Sequence, residues 1–163
     1  MIFLTVGTQL SFDRLVRAVD LWAESRGRSD IFGQICDPGR SGYRPKHFAW
    51  TEQLSPPDFQ ARFDVASAVV AHAGMGTIIS ALNQAKPLLI MPRRASLKEQ
   101  RNDHQLATAT GFRERAGIEV AESDEELLLA LDRLAEAASG PQPAIAPLAS
   151  PELIAAVRGV ILG

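Results

Sequence analysis

The stretch Val69-Val70-Ala71-His72-Ala73-Gly74-Met75-Gly76-Thr77-Ile78-Ile79-Ser80 decides the fold. A Val-rich apolar run stops at a histidine, passes two glycines and turns into a helical pattern. It reads as a strand, a tight turn and a helix start. A helix start exposes unpaired N–H groups and the positive end of a dipole, which favours an anion. Glycine at such a turn lets a ligand come close to the backbone. The bland alternative is that Gly74 and Gly76 only permit a tight strand–helix junction.

Working outward, the same alternation recurs. Ile2 to Val6 is a continuous apolar run, as expected of a strand buried on both faces. A loop, Gly7-Thr8-Gln9-Leu10-Ser11-Phe12, follows it. Asp13 opens a helix with Leu15, Val16, Val19, Trp22 and Ala23 on one face, and Gly27 closes it. Further strands are predicted over Ile31 to Cys36, His47 to Trp50, Pro87 to Met91 and Gly117 to Ala121. Helices are predicted from Ser55-Pro56-Pro57 to about Phe63, over Met75 to Ala85, from Asn102 to about Thr110, and from the capping box Ser123-Asp124-Glu125-Glu126 to Leu134. Alternating strands and helices imply an α/β domain, Rossmann-like and doubly wound, with a mostly parallel sheet. In that topology the first and fourth strands are neighbours at the switch point, where ligands bind outside the carboxyl ends of the strands. The Gly7-Thr8-Gln9 loop and the His72 to Thr77 turn then face one crevice.

The divisions expected are a domain over residues 1–137, a Pro-rich linker over 138–150 and a final amphipathic helix over 151–163. That helix carries Leu153, Ile154, Val157, Val160 and Ile161. With 17 Lys and Arg against 19 Asp and Glu, the net charge of -2 argues against a general nucleic-acid binder. The single cysteine, Cys36, forms no internal disulfide, so a reducing cytoplasm is the expected setting. No window reaches the roughly 18 apolar residues that a membrane span needs.

The glycine turn lacks two better-known signatures. Gly74 and Gly76 supply the first two positions of G-x-G-x-x-G, but Ile79 stands at the third, and neither glycine loop contains G-x-x-x-x-G-K-[ST]. Dinucleotide and P-loop readings therefore recede. His72, at the strand end, is either a satisfied structural residue or a donor to a phosphate or leaving-group oxygen. Its spacing to other histidines and carboxylates forms no metal set and no catalytic dyad, so no metal is expected. The segment from Arg93 to Gln105 is either a solvated charged loop or a cover over the ligand. In the second reading Arg93, Arg94 or Arg101 meets an anion, and Asn102, His104 and Gln105 meet hydroxyls.

The His72-Ala73-Gly74-Met75-Gly76-Thr77 turn, the Lys86-Pro87-Leu88 strand start and Asn102-Asp103-His104-Gln105 occur in an order and spacing that together resemble the carboxyl-terminal half of MurG-type glycosyltransferases, family 28 with the GT-B fold. The stand-alone version of that half is the nearer likeness. Its branches are the eukaryotic subunit that binds UDP-GlcNAc for dolichol-linked oligosaccharide synthesis and the bacterial exopolysaccharide subunit PssE. The likeness spans roughly residues 1 to 135. It implies that Gly7, Thr8, Gln9, Gly74, Met75, Gly76 and Thr77 hold a diphosphate. It places the uracil against the backbone near Trp50, Thr51 and Glu52, and the donor sugar before Asn102, His104 and Gln105. The family often carries a ribose-reading glutamate where this chain has Ser80.

The resemblance also implies what lies elsewhere. A GT-B enzyme closes two domains on donor and acceptor, and this length covers the donor half. An inverting transfer needs a base for the acceptor hydroxyl, and the sequence offers no convincing one. A PssD-like, membrane-anchored partner is expected to supply the base and to bind a lipid-linked saccharide acceptor. The chain would then work in the cytoplasm at the inner face of the membrane, with a UDP-sugar as substrate and no cofactor. The density of Arg93, Arg94 and Arg101 favours UDP-glucuronate over UDP-GlcNAc as donor. The competing readings are a non-catalytic nucleotide-binding regulatory module and a stand-alone α/β enzyme.

Overall fold

The computed structural model describes residues 1–139. Six strands form one sheet: β1 (Ile2–Thr5), β2 (Ile31–Gln34), β3 (Ala49–Thr51), β4 (Ala68–His72), β5 (Leu88–Met91) and β6 (Ile118–Val120), in the spatial order β3-β2-β1-β4-β5-β6. Every pairing is parallel, so the sheet is wholly rather than mostly parallel. Four α-helices lie between the strands, α1 (Asp13–Arg26), α2 (Pro56–Val65), α3 (Met75–Asn83) and α4 (His104–Phe112), and α5 (Asp124–Ser139) follows β6.

The alternation along each strand explains why the sheet is covered twice. On β1, Ile2 and Leu4 join a core with Val16, Val19 and Trp22 of α1 and Leu127 and Leu131 of α5. Phe3, between them, points to the opposite core with Phe63 of α2, Ile78 of α3 and Ala109 and Phe112 of α4. Full burial of each such side chain contributes about 1.5–3 kcal/mol.

Local signals set the boundaries. Gly27 takes the left-handed conformation (φ 60°) as the cap of α1, and its amide reaches the Ala23 and Glu24 carbonyls. Ser55 caps α2 by accepting from the Asp58 amide at 3.3 Å. Ser123 Oγ accepts from the Glu126 amide at 3.2 Å while the Glu126 carboxylate takes the Glu122 amide at 2.8 Å. The strand expected over His47 to Trp50 instead covers Ala49–Thr51. The reason is Asp20 of α1, whose buried carboxylate accepts from the amides of Lys46 and His47 and from Tyr43 Oη, so those residues cap a helix face and do not pair in the sheet. Burial pushes the Asp20 pKa up, but the His47 amide, Tyr43 and the Lys46 amide together hold it below the usual carboxylate range.

The helix expected from Asn102 begins at His104, because the Asn102 side chain is engaged with His104 and the Asp103 carboxylate with the Ala95 amide. The final helix of the domain runs beyond Leu134 to Ser139, so the first two residues of the expected linker, 138 and 139, belong to α5. The rest of that linker and the expected helix over 151–163 lie outside the described residues.

Candidate functional site

Because β1 and β4 pair (Ile2 with Ala68 through Thr5 with Ala71), chain order reverses between them. The loop leaving β1 and the turn leaving β4 open on the same edge of the sheet. They enclose a crevice of ≈ 310 Å³ together with the end of β5 and the start of α4, lined by Val6 to Leu10, His72, Gly74, Arg93, Gln100, His104 and Gln105. This is the switch point, where a doubly wound sheet binds its ligands.

Gly74, which lines the crevice, opens α3 as a bare helix start. The first helical hydrogen bond runs from the Ile78 amide to the Gly74 carbonyl, and Gly74 caps the helix with no side-chain acceptor. The amides of Met75, Gly76 and Thr77 precede it and form the positive end of the helix dipole. A Cβ at Gly76 would meet no atom within 4 Å, so the backbone there is open to an approaching group. Gly74 has a different reason to be glycine: a Cβ there would stand 2.8 Å from His72 Cε1, and closer still to Nε2.

His72 is packed between the two glycine loops. Burial, then the charge of Arg93, and also His104 pull its pKa from the ordinary 6.5 to about 4, against a smaller opposing pull from the Thr5 backbone. That backbone is near without reaching hydrogen-bonding geometry, and Nδ1 is buried with no partner among the described residues. The imidazole is thus neutral at pH 7. A base of pKa near 4 is poorly matched to deprotonating a hydroxyl at neutral pH.

Beneath the β1 loop lies Arg93, 2 % exposed. Its guanidinium donates to the carbonyls of Ser11 (2.6 Å), Leu10 (2.7 Å) and Val6 (3.0 Å), with a longer bond to Glu99 O (3.4 Å). Burial lowers its pKa to about 10, which leaves it cationic. Gln105 of α4 accepts from the Arg93 amide at 3.1 Å and so ties α4 to the end of β5. Gln34, buried at the end of β2, donates to the Gly7 carbonyl at 3.1 Å and keeps its Oε1 unpaired among the described residues, a cost of about 1–3 kcal/mol. Gly7 itself has φ 85°, and a Cβ there would lie 3.0 Å from His72 Cε1.

Residues 1–146 match the description "Glycosyltransferase family 28 C-terminal domain". The chain belongs to that family. No curated protein sequence matches it. Among solved structures it is similar to the glycosyltransferase of kitacinnamycin (TM-score 0.62, 20% identity), covering 97% of this chain and 38% of that one. It is similar to ALG13 in solution (0.60, 18%), covering 90% of each. It is also similar to MurG of Acinetobacter baumannii (0.59, 16%), covering 82% of this chain and 40% of that one. The chain therefore spans about two fifths of the first and third of these. At these identities the likeness concerns the fold, which is that of the C-terminal domain of GT-B glycosyltransferases.

Within this family 28 domain the expected site residues divide into those gathered at the crevice and those held apart. Gly7, Thr8, Gln9, His72, Gly74, Arg93, His104 and Gln105 line it. Met75 packs partly against the α3-side core. Ser80 donates its hydroxyl to the Gly76 carbonyl at 2.9 Å. Trp50, Thr51 and Glu52 sit on and just after β3, separated from β1 by β2. The carbonyls of Thr51 and Glu52 are already taken by the amides of Ile35 and Cys36, both at 3.0 Å. Arg94 does not line the crevice: it donates to the Glu122 carbonyl at 2.9 Å. Arg101 and Asn102 are exposed and outside the lining, between Gln100 and His104 in the chain.

The sequence reading passed over Gln100, which lines the crevice, and Gln34 and Glu99, which support it. Gln34 had a visible signal, a polar residue inside an apolar strand, which demands a buried partner. Glu99 binds Arg14 of α1 at 2.7 and 2.9 Å and the Arg94 amide at 2.9 Å, fastening the post-β5 loop to α1. Among the described residues no three His, Cys, Asp or Glu side chains are grouped to hold a metal ion, and no helix is long and apolar enough to cross a membrane.

Proposed function

We propose that the chain binds a UDP-sugar in this crevice as the donor half of an inverting glycosyltransferase completed by a second polypeptide. The observation that carries the reading is the convergence on one crevice at the switch point of the Gly7 loop and the His72–Gly74 turn, which opens α3 and its unpaired first amides. Such donors stabilise the diphosphate in the ground state and, more strongly, as the departing group gains charge. The nucleoside would extend toward Trp50, Thr51 and Glu52, and the sugar would lie before Asn102, His104 and Gln105. The donor-rich loop and the Arg93 charge meet the diphosphate without a metal.

The acceptor base belongs to the partner in this reading. His72 is held neutral and weakly basic, which supports a role as ligand-facing donor. A PssD-like membrane-anchored subunit would bring a lipid-linked saccharide to the crevice mouth, at the inner face of the membrane, in exopolysaccharide synthesis.

The choice of donor sugar turns in this reading on which cations are free. The uronate reading rests on Arg93, Arg94 and Arg101. The first spends its donors on carbonyls and the second is engaged with Glu122, which leaves Arg101. The neutral side chains Thr8, Gln9, Gln100 and Gln105 favour a neutral sugar such as N-acetylglucosamine. Isothermal titration with UDP-GlcNAc and UDP-glucuronate distinguishes them: tighter glucuronate binding that Arg101→Ala abolishes would restore the uronate.

Co-expression with the product of the neighbouring gene tests the two-chain arrangement. Transfer of labelled sugar to a lipid-linked acceptor is expected only with both chains. Transfer by the isolated chain would make it a stand-alone enzyme. UDP binding without transfer in any combination would make it a regulatory module.

A further inference from the structure

The loop after β1 presents an unusual balance of donors and acceptors. Backbone carbonyls repel an anion as strongly as amides attract it, so a loop that binds phosphate must turn its carbonyls elsewhere. Here two buried side chains take four of them. Arg93 takes those of Val6, Leu10 and Ser11, and Gln34 takes that of Gly7. The amides of Thr8, Gln9 and Leu10, on the same stretch, donate to no protein group among the described residues.

Arg93 also lacks a carboxylate partner. Glu99, the nearest acid acting on it, offers Arg93 only its carbonyl, while its carboxylate is occupied by Arg14 and the Arg94 amide. The other face of the guanidinium rests 4.5 Å over the Phe12 ring. The guanidinium is thus deeply buried and bonded to neutral carbonyls alone, with the Glu99 carboxylate acting on it only through space, which leaves room for an anionic ligand to meet its charge.

We infer that Arg93 and Gln34 are the anion-positioning residues of the crevice, acting from beneath the loop: they withdraw four of its carbonyls so that its amides, backed by a guanidinium with no bonded carboxylate, face a pyrophosphate group. This rests on the reading of the crevice as a nucleoside-diphosphate site and assigns its selectivity for the diphosphate to two residues that need not touch it.

The test compares inorganic pyrophosphate, UDP and uridine by isothermal titration on the full 163-residue chain and on Arg93→Lys, Arg93→Met and Gln34→Met. Arg93→Met and Gln34→Met should weaken pyrophosphate and UDP by about tenfold or more while uridine changes less than about twofold. Arg93→Lys, which keeps the charge and loses the fork, should fall between wild type and Arg93→Met. If Arg93→Met does not fold, Gln34→Met and Arg93→Lys carry the comparison. A residue that merely braced the fold would change the three ligands together or not at all, and that result overturns the inference. Wild-type protein that binds neither UDP nor pyrophosphate overturns instead the nucleotide-site reading on which it rests.

Discussion

The imidazole of His72 fills the space that a side chain at position 74 would need: a Cβ on Gly74 would stand 2.8 Å from Cε1. One glycine of the turn is thus explained by a protein neighbour, while the next, Gly76, has open space around it. The two readings of a glycine turn, tight junction and ligand approach, are divided between its two glycines.

Gly74→Ala and Gly76→Ala should therefore behave oppositely. Gly74→Ala forces His72 from its seat and should cost about 1–3 kcal/mol by overpacking. Gly76→Ala, in the first turn of α3, should leave the protein as stable or more stable by about 0.5–1 kcal/mol, since alanine favours a helix. If an anion lies against that turn, Gly76→Ala weakens UDP binding without lowering Tm. Thermal melts paired with titrations read both quantities.

Gly7→Ala should destabilise by a separate route. Its φ of 85° strains any L-side chain by about 1–2 kcal/mol, and its Cβ would press on His72 at 3.0 Å. A Gly7→Ala Tm equal to that of wild type would contradict the conformation of this loop.

The pH dependence of stability should carry the mark of His72. The unfolded chain binds a proton there near pH 6.5 and the folded one near pH 4. Stability is therefore full above pH 6.5 and falls as pH drops toward 4, by about 3 kcal/mol in all. His72→Gln should flatten that limb of the curve. Below pH 4 a second loss follows from Asp20, whose pKa lies under its ordinary value in the fold; that stability is present above pH 4 and disappears as the carboxylate protonates. Urea denaturation at a series of pH values separates the two limbs.

Glu99 links the crevice to α1. Its carboxylate, mostly buried, accepts from Arg14 and from the Arg94 amide. Glu99→Gln leaves the Arg14 guanidinium with Asp124 at 3.6 Å as its remaining acid and should cost about 1–3 kcal/mol. Hydrogen exchange should then speed up over residues 93–103, while β1 and β4 remain protected. Uniform loss of protection would show that Glu99 braces the whole domain instead.

Much of this fold was legible because its signals are local. Gly27, Ser55 and Ser123 each end or begin a helix through bonds to residues within four positions. The neighbouring of β1 and β4 followed from topology rules applied to the alternation of elements, and it placed both glycine loops on one edge. What escaped were interactions between residues distant in sequence. Arg93 looked like a free cation in a basic loop, and its carbonyl partners Val6, Leu10 and Ser11 stand 82 to 87 positions away. The start of β3 moved because Asp20, on another helix, captured the amides of Lys46 and His47. Gln34 shows a middle case: its oddity in an apolar strand was visible, while its partner Gly7 became evident only once β1 and β2 lay side by side.

The most direct measurement of the central claim is a titration of 15N-labelled protein with UDP, followed by amide NMR. A nucleoside diphosphate held at the switch point should shift the amides of Gly7, Thr8 and Gln9 together with those of Met75, Gly76 and Thr77, and leave α1 and α5 undisturbed. Saturating UDP that leaves both of these segments unmoved, or that moves residues on another face of the sheet, would contradict it.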